Sequence, residues 1–548
     1  MKKKVVAVLL AATTIFSLVA CTGSTESSEV VTGSSEVGGG ETQTVVDASG
    51  YELNSIKMVI DGTLTATVDN GQDAFVEQWE EAIKEKLGRD VTLNVNQLDH
   101  SGYVDAVGRL FAGGDYPDVM LMPASMFAQY ANTGLLWDMT AAYDNAEFQS
   151  RIEKPEINEN LKRDGHLYGF SPAYGNGCVT YVKKAWLDAV GLQASDIKTY
   201  DDYYDMLLKF TNEDPDGNGK NDTYGTDAAG FLKADEAPYI NYLPEFWQDA
   251  YPAIYQNDAG TWVDGFQEDA TKEALLRLQT AYKDGVIDPA ALTDSTKTAR
   301  EKFFSNDQAG SSGSFAYWAG TWYQTLTDNL VKNEVDSELV MLEPISEVGA
   351  YINREAPVWV IIDDGDGDDA REQAIFDTFI DTMLDGGRIQ VLWTYGAEDV
   401  HWSTKAESFV LNKGKTDDNG NSLEKAYEYA DGEFHLKQSP NDENTLWKKN
   451  AMDPALVISP LVGEYASFTD TSELAAQGNL FFVSHCKDAH PSPVSDTLTN
   501  ESGTIIDAKN AVISKVVVEG GDVDAALGEY KNTVGSVIDQ ALEELNSK

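Results

Sequence analysis

The chain has 548 residues, 42% of them apolar, enough to build ordinary cores in two domains or more. Its 91 acidic against 40 basic residues leave a formal charge of −51. A charge of that sign and size repels phosphate backbones and anionic membrane surfaces, so nucleic acid is excluded as a partner, and it keeps a surface protein dissolved.

The N-terminus comes first. "MKKK" is basic, "VVAVLLAATTIFSLVA" is a short apolar run, and together they read as a leader over residues 1–20. Leu18, Val19 and Ala20 ahead of Cys21 match the bacterial lipobox, so Cys21 is expected to become the lipidated first residue, its thiol forming the thioether. The apolar run is shorter than the roughly 20 residues of a membrane-spanning helix. Residues 21–52, rich in Gly, Ser, Thr and Glu, cannot bury a core and are expected to be a flexible tether. The folded body is thus expected outside the cell, leashed to its membrane. Cys178 and Cys486 allow one disulfide or two thiols. "HCKDAH" groups His485, Cys486 and His490, at a spacing that fits no common zinc motif.

In the body, "IKMVI" at 56–60 suits a buried strand. "QDAFVEQWEEAIKEKLG" places Phe75, Trp79, Ile83 and Leu87 on one helical face and ends at Gly88. "VTLNVNQL" alternates as a strand, "YVDAVGRLFAGG" returns to helical spacing, and "YPDVMLM" is a third strand. Strand, helix, strand, helix, strand predicts a parallel α/β sheet with a ligand crevice at its strand ends. That geometry puts Asp69 and Asn70, between the first strand and its helix, at ligand contacts. Asp115 and Asp118 would lie near the mouth of the third strand. In "DGHLYGFSPAYGNG" the glycines permit a bent chain, with Tyr174 and Asn176 facing whatever the crevice holds.

Further on, "TYDDYYDMLLKF" carries Met206, Leu207 and Phe210 at helical spacing, and "DPDGNGKNDTYG" follows it. A hard divalent cation wants six to eight oxygens from alternating loop positions around a glycine bend. Asp214, Asp216, Asn218, the Lys220 carbonyl and Asp222 fill positions one, three, five, seven and nine, with Gly219 at six. The twelfth, a glutamate in an EF-hand, is Gly225. A structural calcium is expected here, not a sensor; a metal-free polar turn is the alternative. The late segment "DVDAALGEYKNTVGSVIDQALEEL" is a packing helix through Leu527, Tyr530, Val534, Ile538 and Leu542.

"FAGGDYPDVMLM", "YANTGLLWDMTAAYDN", "RDGHLYGFSPAYGNGCVTYVKKAWLDAVGL", "DPDGNGKNDTYG", "DGVIDPA" and "WTYGAEDVHW" occur in this order. Over roughly 53–548 the chain resembles the family 1 extracellular solute-binding proteins that serve sugar-importing ABC transporters, especially Gram-positive lipoproteins. The resemblance implies a two-lobed, periplasmic-binding-protein-like α/β clamshell with the ligand in the cleft between lobes. Lobe 1 would hold 53–182 with 350–392, and lobe 2 would hold 183–349 with 393–548. It also implies a monomer that hands its ligand to membrane permease subunits.

A sugar shows flat C–H patches and hydroxyl rims, so its site needs aromatic platforms edged by polar side chains. In "SSGSFAYWAGTWYQ", Trp318, Trp322 and Tyr323 follow a small-residue turn and open a helix. The resemblance carries a stacking tryptophan onto Trp322; Trp318 is a second candidate, with core packing the alternative for both. "WTYGAEDVHW" resembles the family's Y-G-x-E-G-x-H-Y segment and offers Glu398 and the platform Trp402, but has Asp399 where glycine is usual. Trp359, near a crossing strand, is ligand contact or core. The net charge favours a neutral oligosaccharide. A cell-surface glycoside hydrolase and a calcium-dependent carbohydrate adhesin are the alternatives. No H-E-x-x-H or G-x-S-x-G occurs, and "GKT" at 414–416 lacks the P-loop glycine because position 409 is Phe, so no enzyme is expected.

Overall fold

Periodicity decides the first five elements: β1 (Ser55–Asp61), α1 (Gln72–Leu87), β2 (Thr92–Leu98), α2 (Tyr103–Gly113) and β3 (Val119–Met122). The computed structural model describes residues 45–61, 71–98, 103–131, 133–152, 156–163, 165–172, 177–231, 243–305, 310–336, 338–354, 357–363, 365, 367–416, 420–429, 432, 435–437 and 473–547. The expected leader, Cys21, and most of the tether lie outside these residues, as do Asp69, Asn70, Tyr174 and Asn176.

Helix α1 buries Phe75, Trp79 and Ile83 and stops at Gly88, whose φ of 69° is the left-handed turn that glycine adopts without strain. Leu87 is exposed instead of buried. A spacing of four overshoots the 3.6-residue turn by about 40° each time, so the fourth position has rotated off the core. β1 pairs in parallel with β2 and β3, as the alternation of strands and helices predicts.

The chain then builds a second sheet from β4 (Cys178–Lys183), β5 (Thr223–Thr226), β6 (Ser311–Trp318) and β7 (Leu339–Met341), in the order β5-β6-β4-β7. Around it run α3 (Tyr200–Asn212), α4 (Thr296–Phe303) and α5 (Thr321–Lys332). β5 is parallel to β6, whereas β4 runs against both β6 and β7. Afterwards β8 (Val358–Ile361) returns to the first sheet, antiparallel to β3. The helices α6 (Arg388–Tyr395), α7 (Glu473–Ser484), α8 (Asp496–Ile513) and α9 (Val523–Asn546) follow. Tyr530, Val534 and Ile538 of α9 are buried in the second lobe's core with residues of α3 and α8. Among the described residues no helix is long and apolar enough to cross a membrane.

Each sheet has its own core, so the fold is a two-lobed α/β fold, as expected. The lobe boundaries differ from the expected ones in three places. β4 already belongs to the second sheet, so lobe 1 ends before Cys178 rather than at 182. Tyr351–Asn353 pairs with Cys486–Asp488, and Tyr351 sits in a core of lobe 2, so the return to lobe 1 comes at Val358. Residues from 393 onward do not switch lobes at once. Trp393 packs its ring 5.0 Å from Phe75 and 5.7 Å from Trp359, in the core of lobe 1. The segment after it stays there too, since Gln78 of α1 exchanges hydrogen bonds with the Glu398 backbone at 2.8 and 2.9 Å. A large aromatic side chain that fits one core outweighs the sequence position of a boundary.

The crossings run side by side. Phe170 and Trp359 exchange backbone hydrogen bonds at 2.8 and 2.7 Å. A Cβ on Gly177 would overlap the Ile352 carbonyl oxygen and the Phe482 ring. Glycine is required here for close approach, beyond the bend that its sequence context predicts.

Candidate ligand-binding site

The strand ends locate the site. Cys178, where the chain enters lobe 2, lies opposite Trp318, the carboxyl end of β6. Val358, where it re-enters lobe 1, lies opposite Met122, the carboxyl end of β3. The crossings therefore meet the carboxyl edges of strands in both sheets, the edge at which open α/β sheets bind ligands.

Trp318 and Trp322 stand at that edge in lobe 2, both half-buried. The serines and glycine before them are not a turn, as expected, but part of β6. Gly313 is bare because a Cβ there would overlap the Trp186 and Phe210 rings. The turn is at Gly320, with φ 67° and ψ −121°, a backbone region that disfavours any side chain. Helix α7 closes over it: a Cβ on Gly478 would sit 3.0 Å from the Gly320 carbonyl oxygen.

Two arginines meet the two tryptophans. The Arg354 guanidinium, on a crossing, lies 4.4 Å from the Trp318 ring centroid. The Arg300 guanidinium of α4 lies 4.9 Å from that of Trp322 and donates to the Tyr317 hydroxyl at 2.8 Å. Tyr317 meets Trp322 edge-on at 4.8 Å. Cation–π contacts of this kind are worth about 0.5–2 kcal/mol each. Tyr323 turns inward and donates to the Leu339 carbonyl at 2.9 Å, so it is core. Neither arginine stands out in the sequence; their scarcity was the one available signal, and their contacts are tertiary.

The second predicted cluster lies on lobe 1, against the start of α1. His401 is fully buried; a Cβ on Gly71 or Gly396 would overlap its ring. Asp399 keeps the turn that glycine usually makes by adopting φ 63° itself. It is tied there by Lys405 and by the Ser403 hydroxyl at 3.0 Å, and the Lys405 bond holds its carboxyl below the usual range. Trp402 is 8% exposed and donates its indole N–H to the Gly396 carbonyl at 2.9 Å, so it offers little open face. Glu398 is half-buried, held through its backbone.

Two expected contacts are corrected. Trp359 is fully buried, edge-on to Phe379 at 5.2 Å and Trp393 at 5.7 Å, so it is core. Asp118 precedes β3, at the amino edge of the parallel strands, where it accepts from the Lys57 N–H at 2.6 Å and pairs with Arg371. It stitches β1 to β3 at the edge away from the crossings. Asp115, before it, is exposed.

In the 214–225 loop the Asn218 side-chain amide donates to Asp216 at 2.9 Å and to Asp222 at 3.1 Å, and the Gly219 N–H donates to Asp214 at 2.9 Å. Burial, then the hydrogen bond and charge of Asp214, push the Asp216 carboxyl above its usual range. The oxygens suit a hard cation once the Asn218 amide turns its oxygen inward. The missing glutamate has a packing reason. A Cβ on Gly225 would sit 2.7–2.8 Å from Leu207 of α3, because the loop leads into β5 and not into a second helix. Among the described residues the acidic group whose ligand atoms converge within 4.8 Å is another: Asp227, Asp288 and Asp294. The Lys302 ammonium already lies among them, 2.7 Å from Asp288 and 2.5 Å from Asp294. Cys178 and Cys486 are not joined in a disulfide, and His490 packs on Tyr251 and Tyr255 at 4.8 and 4.6 Å.

Comparison with known proteins accords with this architecture. Lipoprotein LipO of Bacillus subtilis (strain 168) is 26% identical over 221 residues, 39% of this chain and 42% of its own length. The polygalacturonan/rhamnogalacturonan-binding protein YtcQ of the same organism is 25% identical over 240 residues, 42% of this chain and 45% of its own. The chain thus spans less than half the length of these curated relatives. In fold it is similar to the N-glycan transport solute-binding protein NgtS of Streptococcus pneumoniae, with a TM-score of 0.57 and 15% identity, covering 90% of this chain and 98% of that one. The family model of the bacterial extracellular solute-binding proteins matches residues 74–369, more than half of the chain, and to that family the protein belongs.

Proposed function

We propose that the protein is the binding receptor of an ABC importer, tethered by lipid on Cys21 to the outer face of the cell membrane. It captures an oligosaccharide between its lobes, without cleaving it, and delivers it as a monomer to permease subunits. One observation carries this reading: two half-buried tryptophans, Trp318 and Trp322, at the carboxyl edge where the crossings run. Aromatic faces edged by polar groups are what sugar C–H patches and hydroxyls require. A relative named for polygalacturonan and rhamnogalacturonan binding and a fold neighbour named for N-glycan transport support a carbohydrate.

A glycan panel in thermal shift, followed by small-angle scattering and product analysis, tests the proposal. Binding should compact the protein, because the ligand favours the closed state. Tight binding without compaction would remove lobe closure, and breakdown products would turn the reading toward a glycoside hydrolase. Trp322→Ala should weaken the best ligand by about 1–3 kcal/mol through lost apolar burial. Unchanged affinity would remove Trp322 from the site.

We propose also that Asp214, Asp216, Asn218, the Lys220 carbonyl and Asp222 hold a structural calcium ion. The ion would neutralise acidic side chains that repel one another and would stabilise the fold by mass action. Chelation should lower the melting temperature and leave sugar affinity nearly unchanged at a permissive temperature. Loss of binding in a still-folded chelated protein would make calcium part of recognition and favour the adhesin reading.

A further inference from the structure

The net charge favours a neutral ligand, but the residues around the tryptophans do not. There are more than two carboxylates for each basic side chain in this protein, 91 against 40. Some arginines elsewhere use them: Arg371 pairs with Asp118 and Glu372, and Arg388 with Glu81 and Glu85, whereas Arg89 and Arg151 bond carbonyl and hydroxyl oxygens instead. Arg300 belongs with the second group. Among the described residues it forms no ion pair; its partners are the Tyr317 hydroxyl and the rings of Tyr317 and Trp322. One N–H of the guanidinium donates to Tyr317, and among the described residues no other hydrogen bond holds it. Arg354 brings a second guanidinium to the same edge, over Trp318.

A guanidinium held against an aromatic face keeps its N–H edge available, and that planar fork matches the two oxygens of a carboxylate. Desolvating an arginine without an anion is costly, so a half-buried one beside a stacking surface suits a ligand that brings the anion with it. Resting on the proposed sugar site, we infer that the ligand is an acidic oligosaccharide of the uronic acid class. Its carboxylate is received by Arg300 while the sugar ring lies on Trp322. The strongly negative remainder of the protein then acts as a filter, weakening capture of anions that lack this fit.

Calorimetry with oligogalacturonate, its methyl ester and a neutral galactan oligomer of the same length tests the inference, using the full chain. The acid should bind at least tenfold tighter than its ester, and the preference should shrink between low and high salt. Arg300→Gln should remove the preference, while Arg300→Lys, which keeps charge but loses the fork, should retain part of it. Melting curves establish that both variants fold; if the Gln variant does not, the acid-to-ester ratio of the wild type and of the Lys variant decides. Equal or tighter binding of the ester or the galactan overturns the acidic assignment and leaves the sugar site standing. Absence of binding by all three together with a full glycan panel overturns the sugar site and this inference with it.

Discussion

The two lobes have cores of different chemistry. Lobe 1 is closed by rings: Phe75, Trp79, Trp359, Phe379 and Trp393 form a contiguous aromatic cluster. Lobe 2 buries titratable groups under its sheet. Lys183 is fully enclosed by Trp186 and Phe303 and donates to the Ser305 carbonyl at 2.9 Å. Glu245 accepts from the Thr180 hydroxyl at 2.5 Å through one oxygen, while its other oxygen has no hydrogen-bond partner among the described residues. Burial pulls the Lys183 ammonium down to about 7 and pushes the Glu245 carboxyl up to about 7. The aromatic cluster of the first lobe is thus held by volume, whereas Lys183 and Glu245 make part of the second core's stability a function of pH.

The largest expected effect is in the aromatic core. Trp393→Ala should cost about 3–5 kcal/mol, the usual range for a buried aromatic truncation. Urea unfolding at pH 5 and pH 8 should give the same loss at both, since no titratable group is involved. A loss that varied strongly with pH would break the contrast between the lobes.

Glu245→Gln should act in the opposite sense. With its carboxyl raised from 4.5 to about 7, the folded protein holds a proton that the unfolded chain has released between these values. Its contribution is therefore most favourable below about pH 4.5, declines as pH rises toward 7, and is constant above that. The neutral amide removes this penalty, so the variant should gain about 1–2 kcal/mol relative to wild type at pH 8 and little at pH 5. Urea midpoints at the two pH values measure it, and parallel curves would show that Glu245 stays charged when folded.

The smallest effect is expected at Asp399. Its left-handed backbone costs about 1–2 kcal/mol that glycine would not incur, against which stand its bonds to Ser403 and Lys405. Asp399→Gly should change the melting temperature by only a few degrees in either direction. A large destabilisation would mean that the side-chain ties, and not the turn, hold this segment on lobe 1.

Local patterns were the legible part of this protein. Helix α1 followed from Phe75, Trp79 and Ile83, and the parallel pairing of β1 with β2 and β3 followed from alternating elements. The same patterns misplaced Asp118, because a residue next to a strand can serve either end of it, and only the pairing partner Lys57 tells which. Trp359 was ambiguous for a related reason, since composition does not say which face of a strand looks inward.

Which segments become strands and helices, and where a turn needs glycine or an acid-rich loop, can be read from the residues alone. These depend on side chains a few residues apart and on backbone sterics, which sequence carries directly. Packing sets the rest: Trp393 completes the first lobe's core, Gly225 must be bare against Leu207, and Arg300 reaches Trp322. Those contacts join segments distant in the chain. Their outcome depends on how whole elements fill a shared volume, which no local window of sequence contains.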